Sequence, residues 1–320
     1  MVFEPEERLL RMRIGKIIGG LVLLGAVGVG VFWFITAPST IAASTLAADY
    51  KPNLANGETI FTIGGCVSCH KTPGQDDRLR LGGGLALGSP FGTFYAPNIS
   101  PDATNGIGAW SELDFVNAVQ HGVGRQDEHL YPALPYTSYT HLKLEDARDL
   151  YAYIKTLPVV DAPNKPHNVA FPFNIRRLLG GWKFLFFSDR PFTPDPSRSA
   201  EWNRGAYLVE GPGHCSECHS PRNALGGIEA DKRFSGGPDP EGKGWVPNIT
   251  QHANGIGTWK EDEIVEFLKS GLTPSFDSAG GSMAEVIQNT SRLSDEDRKA
   301  IAAYLVTLPP IAGKAPPKKS

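Results

Sequence analysis

Cys66-Val67-Ser68-Cys69-His70 and Cys215-Ser216-Glu217-Cys218-His219 share one pattern, Cys-x-x-Cys-His, and together they use all four cysteines of a 320-residue chain. Two thiols one helical turn apart suit thioether bonds to the two vinyl groups of a porphyrin, and the histidine that follows suits coordination of its iron. Two other chemistries also use paired cysteines. A zinc ribbon brings its two pairs within about 15–20 residues of each other, whereas Cys69 and Cys215 lie 146 positions apart. A thioredoxin-like redox pair needs a strand–helix–strand setting, and no alternating strand pattern precedes either motif. Neither chemistry accounts for a histidine directly after the second cysteine both times. The pattern predicts two covalently bound haem c groups, one on Cys66 and Cys69 and one on Cys215 and Cys218, with His70 and His219 as axial iron ligands.

Each iron has a second axial position, and a thioether there raises the reduction potential relative to an imidazole. Of three methionines, Met1 and Met12 precede the long apolar run described below, which leaves Met283, 68 residues after Cys215. The same offset from Cys66 reaches Leu134, within Tyr131-Pro132-Ala133-Leu134-Pro135-Tyr136, and leucine cannot bind iron. The first site is therefore expected either to take an imidazole, from His141 or His129, or to stay open; His121 falls on the middle helix. In either case it should have a lower potential than the second site, or be high-spin. The carbonyls of Pro97 and Pro247 are the expected partners of the other ring nitrogen of His70 and His219, which would raise ligand basicity.

The elements that position these residues come in duplicate. Asn105-Gly106-Ile107-Gly108 returns as Asn254-Gly255-Ile256-Gly257, and Trp110 as Trp259, both at the offset of 149 that separates Cys66 from Cys215. Pro97-Asn98-Ile99 returns as Pro247-Asn248-Ile249, and Leu157-Pro158 as Leu308-Pro309. Agreement at separate points indicates a duplicated domain. In each copy a short helix leads into the haem motif (Gly57 to Ile63, Gly205 to Glu210). A middle helix follows the tryptophan, capped by Ser111 with Asp114 or by Thr258 with Glu261. A last helix carries Leu150, Tyr151, Tyr153 and Ile154, or Ile301, Tyr304 and Leu305, at helical spacing. Between the copies, Ile175, Leu178, Leu179, Trp182, Leu185 and Phe186 share one face of an amphipathic helix. That helix either cements the domains together or lies on a membrane or a partner.

Ile17 to Ile35 is an uncharged run of 19 residues, about what a bilayer-spanning helix needs. Arg8, Arg11, Arg13 and Lys16 precede it and keep the N-terminus cytoplasmic by the positive-inside rule. A signal peptide is the competing reading, with small residues at Ile41-Ala42-Ala43-Ser44, but its apolar region is usually about 7–15 residues. Small-xxx-small spacings, Gly15 with Gly19 and Ala26 with Gly30, would let a second helix approach. The expected layout is a cytoplasmic N-terminus (1–16), a transmembrane anchor (17–35), a linker (36–50), domain 1 (51–160), a connector (161–198), domain 2 (199–310) and a tail (311–320). Thirty-six glycines and 26 prolines imply many loops between short helices. A net charge of −3 gives no reason to expect a nucleic-acid partner.

The stretch Asn203-Arg204-Gly205-Ala206-Tyr207-Leu208, Gly213-His214-Cys215 through His219-Ser220-Pro221-Arg222-Asn223, and Pro247-Asn248-Ile249-Thr250 carries a family likeness. So do Leu130-Tyr131-Pro132-Ala133 and Phe171-Pro172-Phe173-Asn174. From about Lys51 to Leu308 the chain resembles the cytochrome c subunits of bacterial membrane-bound alcohol, aldehyde and gluconate dehydrogenases. The resemblance implies an all-α fold of two tandem class I cytochrome c-like domains behind the N-terminal transmembrane helix. Members of that group usually carry three haems and pass electrons from a catalytic subunit towards quinone or another acceptor. Here a third motif is absent and an anchor is present, which looks more like a stand-alone dihaem cytochrome. Members often have methionine at the place of Leu134 or Leu142; both are leucine here, which favours His141 over His129. The expected function is an electron carrier in the bacterial inner membrane, with its haem domains in the periplasm. Its donor would be a dehydrogenase or quinol-oxidising complex, and its acceptor a soluble cytochrome or terminal oxidase. The alternatives are a cytochrome subunit bound within a periplasmic dehydrogenase, or catalysis at the first haem on peroxide or a small sulfur compound. No substrate-activating triad stands out, which favours carrier over enzyme.

Overall fold

The computed structural model describes residues 5–240, 242 and 244–314. Residues 1–4 of the expected cytoplasmic segment and 315–320 of the expected tail lie outside the described residues. Helix α1 (Pro5–Ile35) is 31 residues long, so the basic segment and the apolar run form one continuous helix. No proline interrupts it after Pro5. At about 1.5 Å per residue it measures about 46 Å. Arg8–Ile35 is long and apolar enough to cross a membrane, and none of its most apolar stretch is buried against the rest of the protein.

After α1 the chain is laid across the first unit. The Ile41 amide donates to Asn117 Oδ1 at 2.9 Å, Arg148 Nη2 to the Ala47 carbonyl at 3.0 Å, and Tyr50 Oη to Asp149 Oδ1 at 2.7 Å. The first unit contains α2 (Leu54–Ile63), α3 (Cys66–His70), α4 (Glu112–His121), α5 (Tyr136–Tyr139) and α6 (Leu144–Ile154). A connector helix, α7 (Leu178–Phe186), leads to the second unit: α8 (Ala200–Glu210), α9 (Cys215–His219), α10 (Glu261–Ser270), α11 (Ser282–Thr290) and α12 (Asp295–Leu305). The units are mostly helical, as expected. They also hold two small antiparallel sheets, so the fold is not purely helical. Strands β1 (Ala86–Ser89) and β2 (Gly92–Tyr95) form a hairpin, to which β3 (Asn168–Val169) of the connector adds an edge. Strands β4 (Gly237–Pro238) and β5 (Trp245–Val246) pair in the second unit. These glycine- and proline-rich stretches cannot continue a helix, and ladder pairing satisfies backbone groups that a buried loop would leave bare.

Caps explain where the helices begin. Asn53 accepts from the Ala55 and Asn56 amides, and Ser199 from the Trp202 amide, so α2 and α8 start earlier than Gly57 and Gly205. Ser111 and Asp114 form the expected capping box of α4. In the second unit the pair Thr258 and Glu261 does not cap. Lys260 is the N-cap, and the Glu263 carboxylate accepts its amide at 2.7 Å. Only the reciprocal half of the box survives, because lysine offers no side-chain acceptor.

In each unit the first and last helices cross at a glycine. A Cβ on Gly57 would lie 2.2 Å from the Asp149 carbonyl oxygen, and one on Gly205 1.8 Å from that of Ala300. No other residue permits this approach. Around the crossings, Ile60, Phe61, Leu150 and Ile154 of the first unit and Leu208, Val209, Ile301 and Leu305 of the second join one continuous apolar cluster.

Candidate haem sites

Helices α3 and α9 each present two cysteines three positions apart, with the histidine as last residue. The preceding residue reverses the chain in the left-handed region: Gly65 at φ 58° and, at the equivalent place, His214 at φ 39°. Glycine takes this conformation freely; histidine needs support. The His214 ring packs edge-on against Tyr139 at 5.6 Å, and its Nε2 donates to the Gly64 carbonyl at 3.2 Å. Tyr139 Oη donates to the same carbonyl at 3.1 Å.

His70 Nδ1 lies 2.7 Å from the Pro97 carbonyl, and His219 Nδ1 2.8 Å from the Pro247 carbonyl. A carbonyl only accepts, so Nδ1 carries the proton in both rings and the Nε2 lone pair is left for a metal. Burial lowers the pKa of both imidazoles, against the opposing pull of those carbonyls, and so favours the neutral ring that coordinates iron. Burial likewise pushes the thiols of Cys66 and Cys215 up to about 12. A thioredoxin-like nucleophile requires a depressed thiol pKa, so this environment does not suit disulfide exchange. The two cysteine pairs sit in separate units, and among the described residues no cluster of three His, Cys, Asp or Glu side chains suits a metal ion, contrary to a shared zinc site. Paired sulfurs on one short helix, a tautomer-fixed imidazole beside them and an apolar core behind fit a haem c at each motif.

On the opposite side the units differ. Met283 is half-buried in the first turn of α11. Leu134, 149 positions earlier, is half-buried two residues before α5. His129 is 3% exposed, and its Nε2 donates to the Thr36 carbonyl at 2.9 Å, beyond the end of α1. That contact uses Nε2 and leaves Nδ1 buried without a hydrogen-bond partner. His141 follows α5 and donates from Nδ1 to the Arg190 carbonyl at 2.6 Å, the same tautomer as His70 and His219. His121 closes α4 and pairs with Asp189 at 3.2 Å.

A further set of residues links the two sites. In the second motif, Glu217 is 7% exposed and reaches into the first unit. It accepts from Thr137 Oγ1 at 2.6 Å and Ser138 Oγ at 2.9 Å, both on α5, and from Arg222 at 2.6 Å. Burial would raise its carboxyl, but Arg222 and the two hydroxyls hold it below the usual range. Ser68 occupies the equivalent place in the first motif, and its Oγ accepts from Asn289 Nδ2 of α11 at 2.9 Å. Arg78 donates to Asn289 Oδ1 at 2.6 Å, and Lys71 pairs with Glu285 at 3.3 Å. Each attachment helix is thus held by a helix of the other unit, α3 by α11 and α9 by α5. Sequence reasoning passed over Ser68 and Glu217. The available signal was an acid between two haem cysteines with Arg222 five residues on.

Comparison with known proteins identifies the family. The cytochrome c family model matches residues 54–158 and 203–309. The chain is 47% identical over 294 residues to a diheme cytochrome c-type protein of Cereibacter sphaeroides, covering 91% of this chain and 97% of that protein. It is 39% identical over 288 residues to the cytochrome c subunit of alcohol dehydrogenase (quinone) of Komagataeibacter europaeus, covering 87% of this chain and 60% of that subunit. It is 38% identical over 283 residues to the gluconate 2-dehydrogenase cytochrome c subunit of Pantoea cypripedii, covering 84% of this chain and 63% of that subunit. The chain belongs to the cytochrome c family, as two tandem cytochrome c domains with two covalently bound haem c groups.

Proposed function

We propose that this chain is a membrane-anchored periplasmic carrier of single electrons, working between a dehydrogenase or quinol-oxidising complex and a soluble cytochrome or terminal oxidase. The observation that carries this reading is the reciprocal hold of α3 by α11 and of α9 by α5, which locks two haem-bearing helices into one body. Bound haem supplies a reversible one-electron change at its iron. The chain supplies orientation and potential. His70 and His219 present Nε2 to the metal while the Pro97 and Pro247 carbonyls keep the proton on Nδ1. Met283 is the proposed second ligand of the second site.

For the first site we propose a sixth position without a thioether, with His141 as its candidate ligand. The Arg190 carbonyl holds the proton on His141 Nδ1 and leaves Nε2 unprotonated. His129, the other candidate, is tied to Thr36 instead. A second reading is favoured by Leu134 at the place of Met283: the sixth position is open, and the site can react with peroxide or a small sulfur compound. Carbon monoxide binding to the reduced protein separates the two, since a ligated site excludes it and an open one admits it.

Retention of α1 as an anchor is supported by its 28-residue span, Arg8–Ile35, and by the basic residues at the start of that span. Relatives named as dehydrogenase cytochrome subunits favour a dehydrogenase as donor. The test is purification of the full chain in mild detergent, followed by reduction with quinol-oxidising membranes and reoxidation by a soluble cytochrome. Turnover in both half-reactions supports the carrier. A stoichiometric flavin or quinone-cofactor protein that cannot be separated from the chain supports a bound subunit instead. A mature N-terminus near Ala43 would end the anchor.

A further inference from the structure

We propose that α7 and the segment before it form a second membrane contact, a monotopic face that lies in the headgroup–acyl boundary beside α1. The inference rests on α1 being the anchor. The last turn of α1 is docked onto α7 at Gly180-Gly181. A Cβ on Gly180 would lie 2.4 Å from the Thr36 carbonyl oxygen, and one on Gly181 3.0 Å from the Phe32 ring. The Arg177 guanidinium stacks on the Trp33 ring at 4.5 Å and donates to the Trp33 carbonyl. His129 closes the joint from the first unit by its bond to Thr36. The contact with the helix that enters the bilayer therefore fixes where α7 sits relative to the membrane.

From that position α7 presents apolar side chains that no part of the protein covers. Phe184 is 70% and Leu185 63% exposed, and Leu178 is 44% exposed on the same face as Leu185. Phe171 is 77% exposed just upstream, with Phe173 and Ile175 also exposed. Single exposed apolar residues need no explanation, but several within residues 171–185, in a segment docked on the proposed anchor, do. The opposite side of α7 is fully engaged. Lys183 Nζ donates to the His121 and Gly122 carbonyls at 2.6 and 2.7 Å, and Trp182 Nε1 to the Leu225 carbonyl at 2.9 Å. The helix thus serves as cement on one face and faces outwards on the other. Apolar residues outward, arginines at the flank and an indole at the anchor's exit match a helix lying in a lipid interface. Such a contact would hold both haem units at a fixed height and tilt above the bilayer, where a flexible tether would let them roam.

The test is photo-crosslinking of the full chain in proteoliposomes of phosphatidylethanolamine and phosphatidylglycerol. p-Benzoylphenylalanine replaces Phe184, Leu185, Leu24 or Leu54 in turn, and visible spectra confirm that both haems are in place. Lipid adducts by mass spectrometry at Phe184 and Leu185, as at Leu24, with none at exposed Leu54, support the proposal. Adducts at Leu24 alone overturn it and leave the anchor standing. No adducts at Leu24 overturn the anchor reading itself. Crosslinks from 184 or 185 to another protein, or to a second copy, also overturn it, because the face then belongs to a protein interface.

Discussion

Replacing Glu217 by glutamine tests whether one buried carboxylate holds the second haem helix to the first unit. Three partners lie within 2.9 Å of it: Thr137, Ser138 and Arg222. Hydrogen bonds to a charged group contribute about 1.5–3 kcal/mol and neutral ones about 0.5–1.5, so two hydroxyl bonds lose about 2 kcal/mol together. Arg222 keeps its bonds to the Gly226 and Glu217 carbonyls, and its side chain is 25% exposed. Its lost ion pair therefore adds only about 1 kcal/mol. Glu217→Gln should destabilise the holoprotein by about 3 kcal/mol in guanidinium unfolding followed at the haem absorption. The effect has a pH signature. The folded carboxyl titrates below the usual 4.5, so its stabilisation is complete above that value and lost as pH falls through the folded pKa. The gap between the two proteins should narrow in acid. A loss under about 1 kcal/mol, or a gap unchanged between about pH 7 and pH 3, would refute the assigned role.

Met283→Leu should lower the potential of the second site by on the order of 0.1–0.2 V, a fraction of the about 0.8 V that axial ligands span; a spectroelectrochemical titration with both potentials unchanged would exclude Met283 as a ligand. Leu134→Met, a volume-conserving change, should raise the lower potential and add a second thioether-to-iron absorption; a spectrum with a single thioether band would show that Leu134 does not face the first iron. Gly57→Ala should cost about 3 kcal/mol or more, since its Cβ would press on the Asp149 carbonyl and cores resist added volume; near-native stability would mean that α2 and α6 do not cross there.

What the sequence disclosed depended on how local the cause was. The haem motifs were legible because covalent attachment fixes residue types within five positions, and the duplication because the same motifs recur at one offset. Ser111 read correctly as a cap, since its partner Asp114 is three residues away. Thr258 was misplaced because nothing local distinguishes it from Lys260, where the helix starts. The small sheets went unseen: they need only a few backbone pairs and leave little periodicity. The partners of Ser68 and Glu217 lie 221 and about 80 residues away. Such pairings come from how two units settle on each other, which no local pattern encodes. The same holds for α7: of the single apolar face read from the sequence, Leu178 and Leu185 are exposed, while Lys183 of the expected polar side is buried.

The proposed ligation of the two haems is unequal, with a thioether at the second site and none at the first. Potentiometric titration of the purified chain, monitored by near-infrared magnetic circular dichroism, reads both ligand pairs and both potentials at once. Two one-electron waves are expected, with a single thioether signature that belongs to the higher-potential site. A thioether signature at the lower-potential site, or at neither, would contradict that ligation.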